Sequence, residues 1–178
     1  LSQSVTCINA MIVSSLLFNA HTWCNMSEAQ LHQINSRLAT AYGSCIPYTV
    51  MYIGSGGYFK RLSDKHILAI TSMPDAYRQL RYRRLLFLPR LLRAAPDSLL
   101  HVLDASLNQE GSFACTILSD LQWMGEHSYK ITEMEAPPAT LHQWLNFCAS
   151  PSWKSLFRNA YYNDNRSYLD DVFRSCML

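Results

Sequence analysis

The sequence predicts an all-α protein, an irregular bundle of six to eight helices with one irregular or short-strand insertion around residues 43–62. Three observations predict it. Apolar residues recur at helical spacing along most of the chain. Capping and stopping residues punctuate those stretches at plausible helix lengths. Only residues 43–62 combine helix breakers with a run of β-branched and aromatic side chains.

The elements follow in order. Residues 4–23 carry Val5, Ile8, Ile12, Leu16 and Trp23 at helical spacing, widened by Met11, Val13, Leu17 and Phe18. A helix this apolar should be largely buried. Asn25 is a plausible stop. Ser27 and Gln30 have the form of a capping box, and the helix they open runs through Leu31, Ile34, Leu38 and Tyr42 to Gly43, a residue suited to a left-handed cap. In residues 43–62, Pro47, Gly54, Gly56 and Gly57 break helix, so residues 48–53 form a short strand or an extended loop. The Gly54-Ser55-Gly56-Gly57 run lacks the Gly-Lys-Ser/Thr ending of a phosphate loop and reads as a mobile turn.

Ser63 caps a short helix through Ile67, Leu68 and Ile70. Pro74 lies near the first turn of a longer one, with Tyr77, Leu80, Leu85, Leu88, Leu91 and Leu92 as its apolar stripe. Pro89 should kink or divide that helix. Pro96 ends it, and Asp97 caps the next, over residues 99–107. After a break at Gly111-Ser112, residues 113–124 form a helix stopped at Gly125. Thr140 caps residues 141–149, and Ser150-Pro151 opens a final helix with a possible break at residues 163–165. The segment 126–138, with its charges and two prolines, is the linker candidate between residues 1–125 and 139–178.

Composition narrows the class. The 178 residues are 49% hydrophobic and 16% charged, enough to bury a core and too little charge for a disordered chain. No run of 18 apolar residues argues for a membrane span. Residues 10–20 lack a basic flank, which argues against a signal peptide. The six cysteines are widely spaced with no Cys-x-x-Cys pair, which points to buried, reduced thiols and an intracellular protein, nuclear or cytoplasmic. His21 and Cys24 lie three apart, but two ligands do not make a zinc site.

Charge is unevenly distributed. Residues 1–59 are neutral, residues 60–93 hold nine basic and two acidic side chains, and residues 94–178 hold five basic and ten acidic ones. A basic block interleaved with tyrosines fits a phosphate-contacting surface, or a face docked on an acidic neighbour such as the C-terminal block. On a helical wheel Arg81 and Arg84 fall inside the apolar arc, while Arg78, Arg83, Arg90 and Arg93 fall outside it. Tyr77 and Tyr82 suit either stacking on sugars and bases or packing in the core and its rim.

No argued reaction emerges. Asp170 and Asp171 point about 100° apart on a helix, the histidines are dispersed, and no nucleophile elbow, metalloprotease or dinucleotide motif occurs. No catalytic residue, no metal ligand and no cofactor are expected in this chain.

Residues 14–23, Ser-Ser-Leu-Leu-Phe-Asn-Ala-His-Thr-Trp, resemble the segment just after the palm in reverse transcriptases of non-LTR, LINE-type retrotransposons. The capped helix from Met26 to Asn35, the arginine-rich stretch from Leu80 to Leu100 and the Phe-x-x-x-Ile-Leu-x-Asp-Leu-x-Trp stretch at residues 113–123 follow in the family's order. The resemblance covers roughly residues 5–125. It implies a thumb/connector region that grips the template–primer duplex. The family's catalytic aspartates lie in the upstream palm, and no Tyr-x-Asp-Asp occurs here, so only the gripping role carries over. The expected partners are an RNA–DNA hybrid or other duplex and the palm of the parent polypeptide, with no membrane. The expected phosphate contacts are Lys60, Arg61, Lys65, Arg78, Arg83, Arg90 and Arg93, which bind backbone without reading bases. The alternative is an all-helical protein-interaction module with no nucleic-acid role.

Overall fold

A computed structural model describes all residues except 1, 47–50, 54–58, 95, 133, 135–137, 139, 149 and 177–178. It is all-α, with a two-stranded ribbon inside the expected insertion. The helices are α1 (Ser2–Ile8), α2 (Ser14–Leu16), α3 (Glu28–Gly43), α4 (Asp64–Ile70), α5 (Ala76–Ala94), α6 (Asp97–Ala105), α7 (Phe113–His127), α8 (Tyr129–Thr132), α9 (Leu141–Cys148) and α10 (Trp153–Cys176). A π-helical turn, Asn9–Val13, joins α1 to α2 without interruption, and a 3-10 turn, Ala20–Thr22, precedes α3. Strands β1 (Met51–Ile53) and β2 (Phe59–Arg61) pair antiparallel, with Tyr52 opposite Lys60. The expected glycine turn between them, residues 54–57, lies outside the described residues.

The chain forms two compact units. The first comprises Leu1–Phe18, Ser27–Gln79 and Tyr168–Leu178, and the second comprises Asn19–Met26 and Leu80–Ser167. The boundaries fall on either side of residues 19–26 and inside α5 and α10, not at the expected linker. That segment is in part core. Helix α7 continues to His127, Ser128 is fully buried, and Ile131 of α8 is 1% exposed. The charges and prolines of residues 126–138 hid one apolar residue that the second unit needs.

In the first unit α3 packs on α4, and Ala69, Tyr168 and Val172 form a small buried cluster. Ser27 accepts a hydrogen bond from the Gln30 N–H while the Gln30 side chain accepts from the Ser27 N–H, the expected capping box. Gly43 stays helical. It takes no left-handed cap, and its Cα faces Ile67. Ser63 has the extended N-cap backbone of α4, but its hydroxyl bonds His66 Nδ1 at 2.7 Å instead of a backbone N–H. The first helix is not largely buried. It turns Val5, Val13 and Leu17 inward and leaves Met11 and Phe18 more than 70% exposed. It also ends earlier than residue 23, because Asn19 adopts a left-handed backbone at φ 55°.

The second unit has a larger, aromatic core. Tyr82, Leu85 and Leu88 of α5 meet Ile117, Leu121, Trp123 and Met124 of α7, Trp144 of α9, and Trp153, Leu156 and Phe157 of α10. Ser112 caps α7 by accepting from the Cys115 N–H, and Thr140 exchanges bonds with Gln143 at the start of α9. Gly125 does not stop α7. A Cβ there would lie 3.3 Å from the Trp144 ring, so the glycine admits the indole.

Pro89 neither divides nor ends α5. A proline removes the bond to the carbonyl four residues earlier, here Leu85. The Trp153 indole N–H donates to that carbonyl at 3.2 Å, so the lost backbone bond is replaced from α10. Helix α10 is likewise unbroken at residues 163–165, where Asn163 and Asp164 are tied to neighbouring segments while the buried Asn165 Oδ1 has no hydrogen-bond partner among the described residues. Asn163 donates to the His127 carbonyl, and Asp164 accepts from the Tyr82 hydroxyl at 2.8 Å. Helix α6 begins at Asp97, with Pro96 in the N-cap position, and ends at Ala105 rather than Leu107.

Candidate nucleic-acid interface

Within the second unit, α5 presents two kinds of arginine. On its inner face Arg84 makes a bidentate pair with Asp120 of α7, Nε to Oδ2 at 2.5 Å and Nη2 to Oδ1 at 3.1 Å. Its Nη1 donates to the Trp23 carbonyl at 3.0 Å. Arg81 Nε reaches Asp120 Oδ1 at 3.2 Å, and its guanidinium lies 4.7 Å over the Trp123 ring. Asp120 is 1% exposed, so two buried cations share one buried carboxylate, and an aromatic face and a carbonyl take up the remaining charge. The placement of Arg81 and Arg84 inside the apolar arc is thereby explained, with the acidic block supplying their partner.

The outer face of α5 carries Arg83, Leu86, Arg90 and Arg93, at i, i+3, i+7 and i+10 along one strip. Arg90 and Arg93 are exposed, Arg83 is half-buried, and Leu86 is 49% exposed. Arg93 Nε donates to the Pro89 carbonyl at 3.1 Å, which steadies the last turn of the helix.

The same helix contributes one ring of an aromatic pair. Phe87, four residues after Arg83 and three before Arg90, meets the His21 ring at a centroid distance of 3.9 Å, with 32° between the planes. Both rings are half-buried. His21 sits in the Ala20–Thr22 turn, which is anchored by fully buried Ala20 and by the bond from Arg84 to Trp23. The inner ion-pair network thus fixes the turn that carries His21.

The remaining expected contacts are placed elsewhere. Lys65 and Arg78 belong to the first unit. Lys65 is exposed at the rim of an open cavity of about 490 Å³ that His32, Asn35, Asp64, Asp75 and Tyr168 also line. Arg78 pairs with Asp75 Oδ2 at 2.6 Å and lies 4.4 Å over the Tyr168 ring, so a carboxylate and an aromatic face already engage its charge. Burial and then the Asp75 charge push the Tyr168 phenol up, against the Arg78 charge. Lys60 and Arg61 lie on β2, and their side chains are outside the described set. Tyr77 is 45% exposed, whereas Tyr82 is buried against Trp123, Phe157 and Tyr161 and does not stack on a ligand.

The charge blocks dissolve on folding. The first unit holds six basic and five acidic residues and the second nine and eight, so each is near neutral. Among the described residues no group of three His, Cys, Asp or Glu side chains could hold a metal ion, and no helix is long and apolar enough to cross a membrane. Five cysteines, Cys7, Cys24, Cys45, Cys115 and Cys148, are free thiols, but only Cys148 is buried, against the expectation of buried thiols, and that burial raises it above its ordinary range. No family model matches the chain, and no curated protein or solved structure matches it.

The wheel sets Arg81 and Arg84 inward and Arg90 and Arg93 outward, as the structure does, but it also sets Arg78 outward, where the structure engages it with Asp75 and Tyr168, and it places neither Asp120 against the inner pair nor His21 against Phe87. The available signal for the aromatic pair was Phe87 itself, an aromatic at helical spacing between two outer arginines.

Proposed function

We propose that the chain binds nucleic acid through the outer face of α5, holding the sugar-phosphate backbone of an RNA–DNA hybrid or other duplex. This is the role expected of a thumb/connector piece of a LINE-type reverse transcriptase whose palm lies in the parent polypeptide. One observation carries the reading: the inner arginines are neutralised by Asp120, while Arg90 and Arg93 project outward in line with Arg83. Exposed arginines outside the Asp120 network, Arg90 and Arg93, are the ones a phosphate chain can engage. The near-neutral balance of the unit makes this a local grip and not long-range attraction.

The test is binding of an RNA–DNA hybrid at two salt concentrations, beside the variant Arg83→Ala/Arg90→Ala/Arg93→Ala. Each phosphate contact contributes roughly 0.7–0.9 to the slope of log affinity against log salt. The triple variant is therefore expected to flatten that slope by about two to three. A folded wild-type sample that fails to bind at low salt would sink the reading.

A second reading, a protein-interaction module, rests on a different observation. Met11, Ile12 and Phe18 of the first unit are 73%, 45% and 72% exposed, an apolar group that suits a protein partner. Weak, salt-insensitive binding to duplexes would favour it.

A further inference from the structure

We propose that the cavity of the first unit binds a small zwitterion, an aliphatic α-amino acid, with its ammonium on Asp64 and its carboxylate on Lys65, Asn35 and the Tyr168 hydroxyl. All of these residues belong to the first unit, whereas Arg90 and Arg93 belong to the second, so this inference does not rest on the backbone grip.

The class of ligand follows from which groups around the cavity are already engaged. Asp75 is engaged: its Oδ1 accepts from the Arg78 N–H at 2.8 Å, and its Oδ2 pairs with the Arg78 guanidinium at 2.6 Å. Asn35 is half engaged. Its Oδ1 accepts from the Ala76 N–H at 2.7 Å, and its NH2 group has no partner among the described residues. Asp64 and Lys65 carry opposite charges, and neither makes an ion pair with a described residue. One carboxylate, one ammonium and an amide donor are therefore left over. A polyanion such as a nucleotide would bring its phosphates to one ammonium set among two carboxylates. A polyamine would face Lys65. A molecule with one charge of each sign meets both leftover charges. Leu68, 1% exposed, supplies an apolar wall for an aliphatic side chain. The volume of about 490 Å³ falls within the roughly 300–1,000 Å³ of small-molecule sites.

Tyr168 is the second, independent observation. It lines the cavity and is 8% exposed, yet its hydroxyl has no hydrogen-bond partner among the described residues. Buried tyrosine hydroxyls ordinarily find one. The ring itself is held, because the Arg78 guanidinium lies 4.4 Å over it. Burial first, and the Asp75 charge next, push the phenol up, so the hydroxyl keeps its proton at neutral pH and serves as a donor. A carboxylate is the acceptor that a phenol O–H, an amide NH2 and an ammonium can share.

The experiment titrates the full chain with L-leucine, N-acetyl-L-leucine and L-leucinamide, followed by ligand-observed NMR. Leucine is expected to bind with a dissociation constant on the order of a millimolar, the range open to so small a ligand. N-acetyl-leucine lacks the ammonium and leucinamide lacks the carboxylate, and each is expected to bind about threefold more weakly or worse. Asp64→Asn should erase the preference over N-acetyl-leucine, and Lys65→Met the preference over leucinamide. Tyr168→Phe keeps the ring under Arg78 and removes only the hydroxyl, and it should weaken leucine by roughly tenfold. Helical circular dichroism confirms that each variant is folded. Equal binding of leucine and either derivative would overturn the zwitterion. Leucine binding unchanged in both Tyr168→Phe and Lys65→Met would overturn this cavity as its site. A folded wild type that does not bind leucine at concentrations well above a millimolar, whether or not it binds an adenine nucleotide, would overturn the proposal outright. Duplex binding through α5 is measured separately and is untouched by any of these results.

Discussion

The inner and outer faces of α5 carry the same residue type under opposite conditions. Arg84 and Arg83 are adjacent in sequence, yet Arg84 is 4% exposed and locked on Asp120 while Arg83 lies on the outer strip with Arg90 and Arg93. The inner arginines belong to the fold, because a carboxylate on α7 makes their burial tolerable. Arg90 and Arg93 lie exposed outside that network. Composition cannot make that distinction, since a basic block counts both kinds alike.

The comparison breaks hardest at Asp120. Asp120→Ala leaves two buried guanidiniums without their carboxylate and should cost about 3–5 kcal/mol, read as a lowered midpoint in urea. Its apolar counterpart sharpens the point. Replacing all three charges together, as Arg81→Met/Arg84→Met/Asp120→Leu, should be nearly neutral or stabilising, because no buried charge is left unpaired. A triple variant as unstable as Asp120→Ala would mean that the network is needed for more than mutual neutralisation.

Next in size is the bond that carries α5 through Pro89. Trp153→Phe leaves the Leu85 carbonyl without a donor and should cost about 1–3 kcal/mol. In a Pro89→Ala background residue 89 regains its N–H, so the same substitution should cost clearly less. Equal costs in the two backgrounds would refute the replacement account.

Alkaline pH should weaken the buried cores, beginning with the one that Cys148 joins. Burial raises the Cys148 thiol from its ordinary 9.0, and Cys148 lies in the cluster that packs Leu85 and Leu88. A raised pKa means that the folded state holds its proton more tightly than the unfolded one. Its stabilising share is complete below pH 9 and declines as pH rises above that value. Stability should therefore fall above about pH 9 in the wild type, and more gently in Cys148→Ala, as followed by urea midpoints. The half-buried Tyr161 and buried Tyr168 phenols are also raised and act in the same direction about one pH unit higher.

The smallest stability effect belongs to the outer face. Arg90→Ala and Arg93→Ala should each change stability by no more than about 0.5 kcal/mol. A larger loss would place those arginines in the fold after all.

What the sequence made legible was local. The Ser27–Gln30 box, the Thr140 cap and the inward position of Arg81 and Arg84 on α5 depend on spacings of a few residues, and periodicity reads those, whereas Ser112 reads only as a break and proves to cap α7. What it hid was long-range. Helix α5 survives Pro89 because of Trp153, 64 positions later in the chain, and Gly125 remains helical because Trp144 needs its space. The supposed linker hid Ile131 because charged neighbours outweighed one apolar residue in the pattern. The His21–Phe87 pair joins a turn to a helix 66 positions away, and neither segment announces the other.

The π turn at Asn9–Val13 bears on the history of the chain. Val5 and Val13 are both buried, though eight residues of regular α-helix would leave them about 80° out of line. A π turn absorbs one surplus residue, which makes the two valines effectively seven apart and brings them within about 20° of one line. The turn is thus where an insertion of a single codon would be accommodated without moving the buried side chains. Deleting exposed Ala10 should return the segment to plain α-helix with the same two valines inward, so this stretch tolerates a length change that most packed helices do not.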